Sequence, residues 1–169
     1  MSAELLDCAL GLGSNLGDRA GSFRAAVSAL RGHGEVVALS ALYESAAVGP
    51  VQPDYLNAAV RFRTPLAPLE LLELMLGIER AQGRVRTERW GPRTLDLDLL
   101  LITGRVVAEP ALAVPHPELA GRAFALLPLL DVMPDAVDPR TGERYSAVAS
   151  RVDRTGVREL SGTRAGWLE

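Results

Sequence analysis

The chain has 169 residues, of which 48% are hydrophobic and 23% charged, the usual balance of a single folded domain. We therefore expect one domain over residues 1–169 and exclude intrinsic disorder. A formal net charge of −3 argues against a nucleic-acid binder with a broad basic surface, so a small-molecule partner is expected. Because Cys8 is the only cysteine, an internal disulfide and a cysteine zinc cluster are excluded.

The sequence also bears on location and on how phosphates could be held. No stretch reaches the roughly 18 apolar residues of a membrane span, and the first residues lack the regions of a signal peptide. We expect a cytoplasmic protein without a membrane partner. All 18 basic residues are arginine, so the lysine that a P-loop requires is missing. Any nucleotide phosphates must therefore be bound by groups other than a P-loop lysine.

The first segment predicts a strand and a helix. Residues 7–13 are typical of a strand that ends in a glycine-containing turn. The helix that follows has Asp18 or Ser22 as its N-cap and ends near Gly32 or Gly34. Its apolar stripe consists of Phe23, Ala26, Val27 and Leu30.

Two strands and a second helix come next. Residues 36–43 and 55–63 are predicted strands, and apolar and polar side chains alternate along the second of them. A proline-punctuated loop, residues 44–54, joins these strands and is long enough to fold over a bound molecule. By itself, a plain surface connection is the simpler interpretation of this loop. Pro68 suits the first turn of a helix that runs to about Gln82.

The rest of the chain completes a recognisable order of elements. A strand is predicted at 95–102, an extended piece at 112–117, an apolar helix at 123–130 and a weaker helix at 145–160. The order β-α-β-β-α-β is the split βαβ arrangement of ferredoxin-like folds. The predicted fold class is therefore α+β, with an antiparallel sheet whose second face is covered by the C-terminal helices.

The most informative motif sets four arginines immediately ahead of an Asp-x-Asp pair. The arginines are Arg84, Arg86, Arg89 and Arg93, and the pair is Asp96 and Asp98. Because side chains on a strand alternate, the two aspartates share one face while their leucine neighbours fill the other. Carboxylates roughly 7 Å apart suit Mg²⁺ ions that keep waters and bind phosphates, and guanidiniums offer forked donors to phosphate oxygens. The pattern predicts a polyphosphate and metal site for phosphoryl-type transfer.

Simpler interpretations exist for each part of this motif. An Asp-x-Asp pair is often a solvated strand face, and loop arginines are often surface charge. The apolar run 99–102 favours a strand that enters a core, which places its acidic start at a cleft. Glu79 is expected near the arginines, as a ligand contact or as a salt-bridge partner of Arg84 or Arg86. His116 lies between prolines and can donate to phosphate, whereas His33 is expected to be inert.

Several motifs together resemble one family. They are Gly13-Ser14-Asn15-Leu16-Gly17, Gln52-Pro53-Asp54-Tyr55-Leu56-Asn57-Ala58, Gly83-Arg84-Val85-Arg86, Arg89-Trp90-Gly91-Pro92-Arg93-Thr94-Leu95-Asp96-Leu97-Asp98 and Val114-Pro115-His116. From about residue 9 to about residue 135 the chain resembles the 6-hydroxymethyl-7,8-dihydropterin pyrophosphokinases of folate biosynthesis. The resemblance implies an α-β-α three-layer sandwich and transfer of the β,γ-diphosphate of ATP to the pterin hydroxymethyl group, with release of AMP. It also implies two Mg²⁺ ions and, we expect, a monomer.

The resemblance assigns roles to residues at matching positions. It implies catalytic roles for Arg84, Arg93, Asp96 and Asp98, the two aspartates also holding the metal ions. It implies ATP contacts from Glu79, Arg86, Leu99, Leu112, His116 and Arg122. It implies pterin contacts from Ser45, Ala46, Val48, Tyr55, Asn57, Trp90 and Phe124. A flat heterocycle with a polar edge suits such a site, because aromatic rings stack on its faces and an amide can both donate and accept.

The chain departs from the family pattern at a few positions. Pro117 stands where an aromatic neighbour of the histidine is frequent, Leu76 stands at a position that is polar in some members, and Ala46-Ala47 replaces a proline pair. The departures affect the expected adenine contacts and the stiffness of the loop beside the pterin. The predicted metal and pterin residues are all present.

Two other classes of function remain open from the residues alone. A ferredoxin-like RNA-binding or regulatory module without catalysis is one, although an aromatic content of 5% is low for a base-stacking surface. Nucleotidyl transfer by a two-metal aspartate pair is the other. The leaving group separates the two chemistries, because diphosphate transfer releases AMP and nucleotidyl transfer releases pyrophosphate.

Overall fold

A computed structural model of the protein describes residues 4–47, 51–83 and 94–168. The strands in these ranges are β1 (Leu6–Ser14), β2 (Glu35–Leu39), β3 (Tyr43–Ser45), β4 (Tyr55–Thr64), β5 (Asp96–Ile102), β6 (Val107–Glu109), β7 (Leu112–Val114) and β8 (Val157–Glu159). The α-helices are α1 (Arg19–Arg31), α2 (Pro68–Ala81), α3 (Ala123–Val132) and α4 (Tyr145–Ala149). None of the helices in these ranges is long and apolar enough to cross a membrane.

The main sheet has the strand order of a split βαβ unit. Its order is β5-β1-β4-β3-β8, and β2 pairs with β4 beside β3. All of these pairs are antiparallel, and β4 lies between β1 and the strands that follow α1. This topology confirms the predicted ferredoxin-like α+β core.

Helices cover both faces of the sheet. One apolar cluster joins α1 and α2 to the sheet and contains Leu10, Leu12, Phe23, Val60, Leu71 and Met75. The other joins α3 and α4 to the opposite face and contains Ala9, Ala59, Leu126, Leu129 and Tyr145. Since strand residues alternate between the two clusters, each face of the sheet buries its own set of side chains. The predicted three-layer α-β-α sandwich is confirmed.

The ends of the first two helices follow from local chemistry. Asp18 caps α1, because its Oδ1 accepts the Gly21 backbone N–H at 2.9 Å, and the helix ends at Gly32. Pro68 opens α2, where its missing N–H costs nothing. Glu70 accepts the Ala67 backbone N–H at 2.9 Å and so completes the start of that helix.

The predicted strand at 36–43 is wrong in one respect, because it is divided into β2 and β3. At Ser40 the hydroxyl accepts the Ala59 N–H at 2.8 Å, a bond that a strand carbonyl would otherwise make. The next two N–H groups leave the sheet: Ala41 donates to Asp131 Oδ2 at 3.2 Å, and Leu42 donates to Thr163 Oγ1 at 2.9 Å. Side chains from distant elements thus interrupt the strand.

The predicted weak helix at 145–160 is also wrong over most of its length. Only α4 is helical there, and the chain then turns and forms β8 on the edge of β3. Asp153 Oδ1 accepts the Thr155 N–H at 2.9 Å, and Gly156 has a positive φ of 80°. α4 already ends at Ala149 with Ser150 as its C-cap, and the later turn at Gly156 leads into β8, because a left-handed residue is not part of a helix.

Candidate active site

A cleft opens where β1, β4 and β5 meet the start of α3. The cleft is open to solvent, and the space within it and at its mouth is about 910 Å³. Of the predicted site residues, the cleft is lined by Ser45, Ala46, Tyr55, Asn57, Asp96, Asp98, His116, Arg122 and Phe124. The remainder of its lining is apolar or glycine, and includes Leu100, Leu119 and Ala125.

Two glycines of β1 form the floor of the cleft. Gly13 pairs with Asn57 on one side and with Asp96 on the other, and Gly11 pairs with Asp98. A side chain at Gly11 would press on Leu100, since an added Cβ would lie 3.2 Å from Leu100 Cδ1. The bare backbone of β1 therefore keeps the space between the aspartate strand and the Asn57 strand open.

One wall of the cleft carries both acidic and basic side chains. Asp96 and Asp98 lie on the same face of β5, as the alternation predicts, and both are partly exposed to the cleft. His116 Nε2 lies 3.8 Å from Asp98 Oδ1, and Arg122 pairs with Glu118 at the rim. Carboxylates, an imidazole and a guanidinium thus face one space, a combination that suits a phosphate chain with a bound cation.

His116 is oriented by the backbone after it. Its Nδ1 accepts the Glu118 N–H at 3.1 Å, so the proton of the neutral ring is on Nε2, the nitrogen nearer Asp98. Burial lowers the pKa of His116 below its usual value, and the nearby Arg122 lowers it further. At neutral pH the ring is therefore an uncharged donor aimed at the acidic wall.

The β4 side of the cleft, together with Phe124 of α3 next to Arg122, combines aromatic rings with an amide. Asn57 is 4% exposed, and its Nδ2 donates to Ser45 Oγ at 2.7 Å. Tyr55 and Phe124 both line the cleft, and the Arg122 guanidinium carbon lies 5.5 Å from the centre of the Phe124 ring. The bond to Ser45 fixes the rotation of the Asn57 amide, which leaves a polar edge beside two stacking surfaces.

Glu79 lies outside the lining, buried beneath the aspartate strand. It is 4% exposed, and its Oε2 accepts the Leu97 backbone N–H at 2.8 Å. Leu97 lies between Asp96 and Asp98 on β5. This strand is at one edge of the sheet. The carboxylate therefore supports the backbone between the two aspartates, while its predicted ATP contact stays a prediction.

Two predicted ATP residues lie elsewhere, and five predicted residues are outside the described ranges. Leu99 is buried in the cluster under α1 and α2, and Leu112 packs against the same cluster from β7, so neither side chain lines this cleft. The residues outside the described ranges are Val48, Arg84, Arg86, Trp90 and Arg93.

The donor set of the acidic wall fits Mg²⁺. Within the described residues, no group of three or more His, Cys, Asp or Glu side chains could hold a metal ion on its own. Two partly exposed carboxylates provide only part of an octahedral shell, which matches an ion that completes its coordination with waters and substrate phosphates. Asp96 and Asp98 therefore fit a substrate-linked Mg²⁺ site.

The contributions of Gly11, Gly13 and Asn15 were not predicted from the sequence. The two glycines share a face of β1 by the same alternation that groups Asp96 and Asp98, so the signal was present. Asn15 Nδ2 donates to Gln52 Oε1 at 2.7 Å and to the Pro53 carbonyl at 3.0 Å. That link joins two motifs that lie far apart in the chain, and no local pattern predicts it.

A cleft that brings carboxylates, an imidazole and a guanidinium together with aromatic rings is typical of an enzyme that transfers a phosphoryl-type group to a flat acceptor. Comparisons with known proteins make this class specific. Residues 9–134 match the model of the 7,8-dihydro-6-hydroxymethylpterin-pyrophosphokinase (HPPK) family. The chain belongs to this family, and it is a pyrophosphokinase of 6-hydroxymethyl-dihydropterin in folate biosynthesis.

Individual relatives agree with the family match. The 2-amino-4-hydroxy-6-hydroxymethyldihydropteridine pyrophosphokinase of Synechocystis sp. is 44% identical over 88% of this chain and 77% of its own. The enzyme of the same name from Pseudomonas aeruginosa is 42% identical over 89% of this chain and 94% of its own. A Plasmodium falciparum HPPK-DHPS crystal structure matches 89% of this chain with a TM-score of 0.69. At 14% identity that likeness shows the fold alone, and the chain spans 45% of that structure.

Proposed function

We propose that the protein transfers the β,γ-diphosphate of ATP to the hydroxymethyl oxygen of 6-hydroxymethyl-7,8-dihydropterin and releases AMP. The observation that carries this proposal is that one cleft holds Asp96, Asp98 and His116 together with Tyr55 and Asn57. The first set of side chains suits a polyphosphate and the second suits a flat heterocycle. A donor and an acceptor can therefore meet in this cleft.

The proposed reaction exchanges one P–O bond for another. The pterin hydroxyl oxygen attacks the β-phosphorus, the bond from that phosphorus to the α–β bridging oxygen breaks, and AMP leaves with the bridging oxygen. The hydroxyl proton is lost to solvent. Mg²⁺ held by Asp96 and Asp98 would neutralise charge on the β- and γ-phosphates.

The side chains of the chain would mainly position the two substrates. We assign His116 Nε2–H and the Arg122 guanidinium to phosphate oxygens, because both are donors at the acidic wall. We assign Asn57 to the polar edge of the pterin, and Tyr55 and Phe124 to its faces. Correct alignment is the main catalytic requirement for this type of transfer.

Further roles are proposed on the resemblance alone. Arg84 and Arg93 would stabilise the transferred group, Arg86 would contact ATP, and Trp90 and Val48 would contact the pterin. We also propose that Glu79, Leu99 and Leu112 act on the ATP side, that Ser45 and Ala46 act on the pterin side, and that two Mg²⁺ ions take part. The protein is proposed to act as a single-domain cytoplasmic monomer.

Product analysis tests the proposal. The protein is incubated with ATP, Mg²⁺ and 6-hydroxymethyl-7,8-dihydropterin, and the nucleotides and pterins are separated. We expect AMP and a pterin diphosphate in equal amounts. Release of pyrophosphate would indicate nucleotidyl transfer instead, and the absence of any ATP consumption would favour a binding module.

A further inference from the structure

Arg19, the first residue of α1, bridges the two ends of the segment that joins β3 to β4. Its Nη2 donates to Glu44 Oε1 at 2.8 Å, just before the end of β3. Its Nη1 donates to the Asp54 carbonyl at 3.1 Å, just before β4 begins. A single guanidinium thus contacts the chain where it leaves the sheet and where it returns.

Glu44 has a second arginine partner from the C-terminal part of the chain. Arg158 of β8 pairs with Glu44 Oε2, the oxygen that Arg19 does not contact. Hydrogen bonds from Arg19 and Arg158 hold the pKa of Glu44 below its usual value, so the carboxylate is charged at neutral pH. The side chain of Glu44 is 14% exposed and that of Arg19 is 30% exposed, which limits solvent screening of their contact.

The residues next to these contacts are the ones that line the cleft. Ser45 follows Glu44, and Tyr55 follows Asp54, and both belong to the aromatic and amide wall. Because strand side chains alternate, Glu44 points away from the cleft when Ser45 points toward it. Arg19 therefore contacts Glu44 on the face of the sheet that points away from the cleft, and it does not itself line the cleft.

The strands alone give this part of the wall little support. β3 has only 3 residues, and its pairing with β4 ends at Ser45 and Tyr55. Its other neighbour, β8, is equally short and comes from the C-terminal part of the chain. The ends of short strands open easily. The Arg19–Glu44 ion pair, with the bond from Arg19 to the Asp54 carbonyl, therefore stabilises the ends of β3 and β4.

We propose that Arg19 is a positioning residue for the pterin side of the cleft, which it serves by fixing the backbone at Glu44 and Asp54 without touching the substrate. The inference rests on the proposed function, since it assumes that the wall of Ser45, Tyr55 and Asn57 binds the pterin. Arg19 is expected to affect Asn57 as well, because the Asn57 amide donates to Ser45 Oγ at 2.7 Å. Displacement of Ser45 would therefore also release the Asn57 amide.

Ligand binding to single variants tests the role of Arg19. Affinities are measured by calorimetry for α,β-methylene ATP with Mg²⁺, and then for 6-hydroxymethylpterin in the presence of that analogue. The analogue cannot react, because the bond that breaks in the proposed transfer is replaced. We expect Arg19→Ala to weaken pterin binding about five- to tenfold and to leave the affinity for the analogue within about twofold.

Matched variants separate positioning from general destabilisation. Arg24→Ala removes another arginine of α1, one that donates to the Trp167 carbonyl at 2.9 Å, and should leave pterin affinity unchanged. Glu44→Ala should reproduce the loss seen in Arg19→Ala, and the double variant should be no weaker than either single one. Arg19→Lys should recover part of the loss, because one ammonium cannot present the two forked nitrogens.

The outcomes also separate this inference from the proposed function. Wild-type protein that binds no pterin would overturn the proposed function, and the inference with it. Wild-type binding with equal pterin affinity in Arg19→Ala and Arg24→Ala would overturn the positioning role alone. Equal losses for pterin and for the ATP analogue in Arg19→Ala would also contradict it, because they indicate a general change in the fold.

Discussion

Asp98 combines a backbone fixed in the sheet with a side chain that is partly open to solvent. Its backbone pairs with Gly11, and its side chain is 37% exposed beside His116. Removal of an exposed carboxylate leaves no cavity in the core, and it relieves repulsion from Asp96. The structural effect and the catalytic effect of such a change can therefore be separated.

We expect Asp98→Ala to abolish detectable turnover while the melting temperature stays within a few degrees of wild type, because Mg²⁺ assistance is lost and packing is kept. AMP formation at saturating Mg²⁺ and thermal unfolding are the two measurements. Asp135→Ala is a suitable control, since that carboxylate is 92% exposed and is not among the residues that line the cleft. Near-normal turnover in Asp98→Ala would remove Asp98 from the proposed metal site.

Cys8 shows how burial suppresses the reactivity of a thiol. It is fully buried on β1, its thiol donates to the Phe62 carbonyl at 3.2 Å, and burial raises its pKa to about 12. At neutral pH the thiol is therefore not ionised. We expect Ellman's reagent to react with it only after unfolding, at a rate that rises with added urea across the unfolding transition. Rapid labelling in buffer alone would contradict the buried, neutral thiol.

The elements show what local pattern can and cannot predict. Alternating side chains predict β4 and β5, and cap residues predict both ends of α1, because these signals lie within a few residues of each other. The division of the strand at 36–43 was not predictable, since its cause is hydrogen bonding to Asp131 and Thr163, which are 90 and 121 residues away from their partners.

The turn between α1 and β2 offers a test at this scale. A Cβ at Gly34 would lie 2.3 Å from the Arg63 carbonyl oxygen, a backbone atom that cannot move freely. We expect Gly34→Ala to lower the free energy of unfolding by about 2 kcal/mol in urea denaturation. Gly32→Ala is the matched control, because Gly32 is in the right-handed helical region and its Cβ would approach only the Ala29 carbonyl, at 3.4 Å. Equal stability of the two variants would contradict the close packing at Gly34.

At the scale of the whole molecule, the C-terminal segment is part of the same body as the family region. Residues 9–134 carry the family match, yet Trp167 is 6% exposed and belongs to the cluster under α1. Its ring packs edge-on to Phe23 at 6.0 Å, and its Nε1 donates to the Ser40 carbonyl at 2.7 Å. The C-terminal segment thus contacts the chain at Ser40, between β2 and β3.

We expect Trp167→Ala to cost about 3 kcal/mol in the free energy of unfolding, because a buried aromatic side chain is removed. Trp167→Phe should cost about 1 kcal/mol, mainly through loss of the bond to Ser40. Urea denaturation followed by circular dichroism gives both values. A cost below about 1 kcal/mol for Trp167→Ala would mean that the C-terminal segment does not contribute to the core.

The candidate site was predictable to the extent that its residues lie in specific motifs. Asp96, Asp98, His116 and Asn57 were named from such motifs, and the structure places them in one cleft. The proposed role of Arg19 was not predictable, because Arg19 of α1 meets its partners Glu44 and Asp54 only in the folded protein. Long-range supports of a site require the fold, whereas the residues proposed to contact substrate can be read from local motifs.

The central claim is that the two terminal phosphates of ATP move as one unit to the pterin. Two parallel incubations test it, one with ATP labelled at the β-phosphorus and one with ATP labelled at the γ-phosphorus, each with Mg²⁺ and 6-hydroxymethyl-7,8-dihydropterin. We expect both labels to appear in the pterin product in equal yield, with unlabelled AMP as the nucleotide product. Transfer of the γ-label alone, or recovery of both labels as free pyrophosphate, would contradict the account.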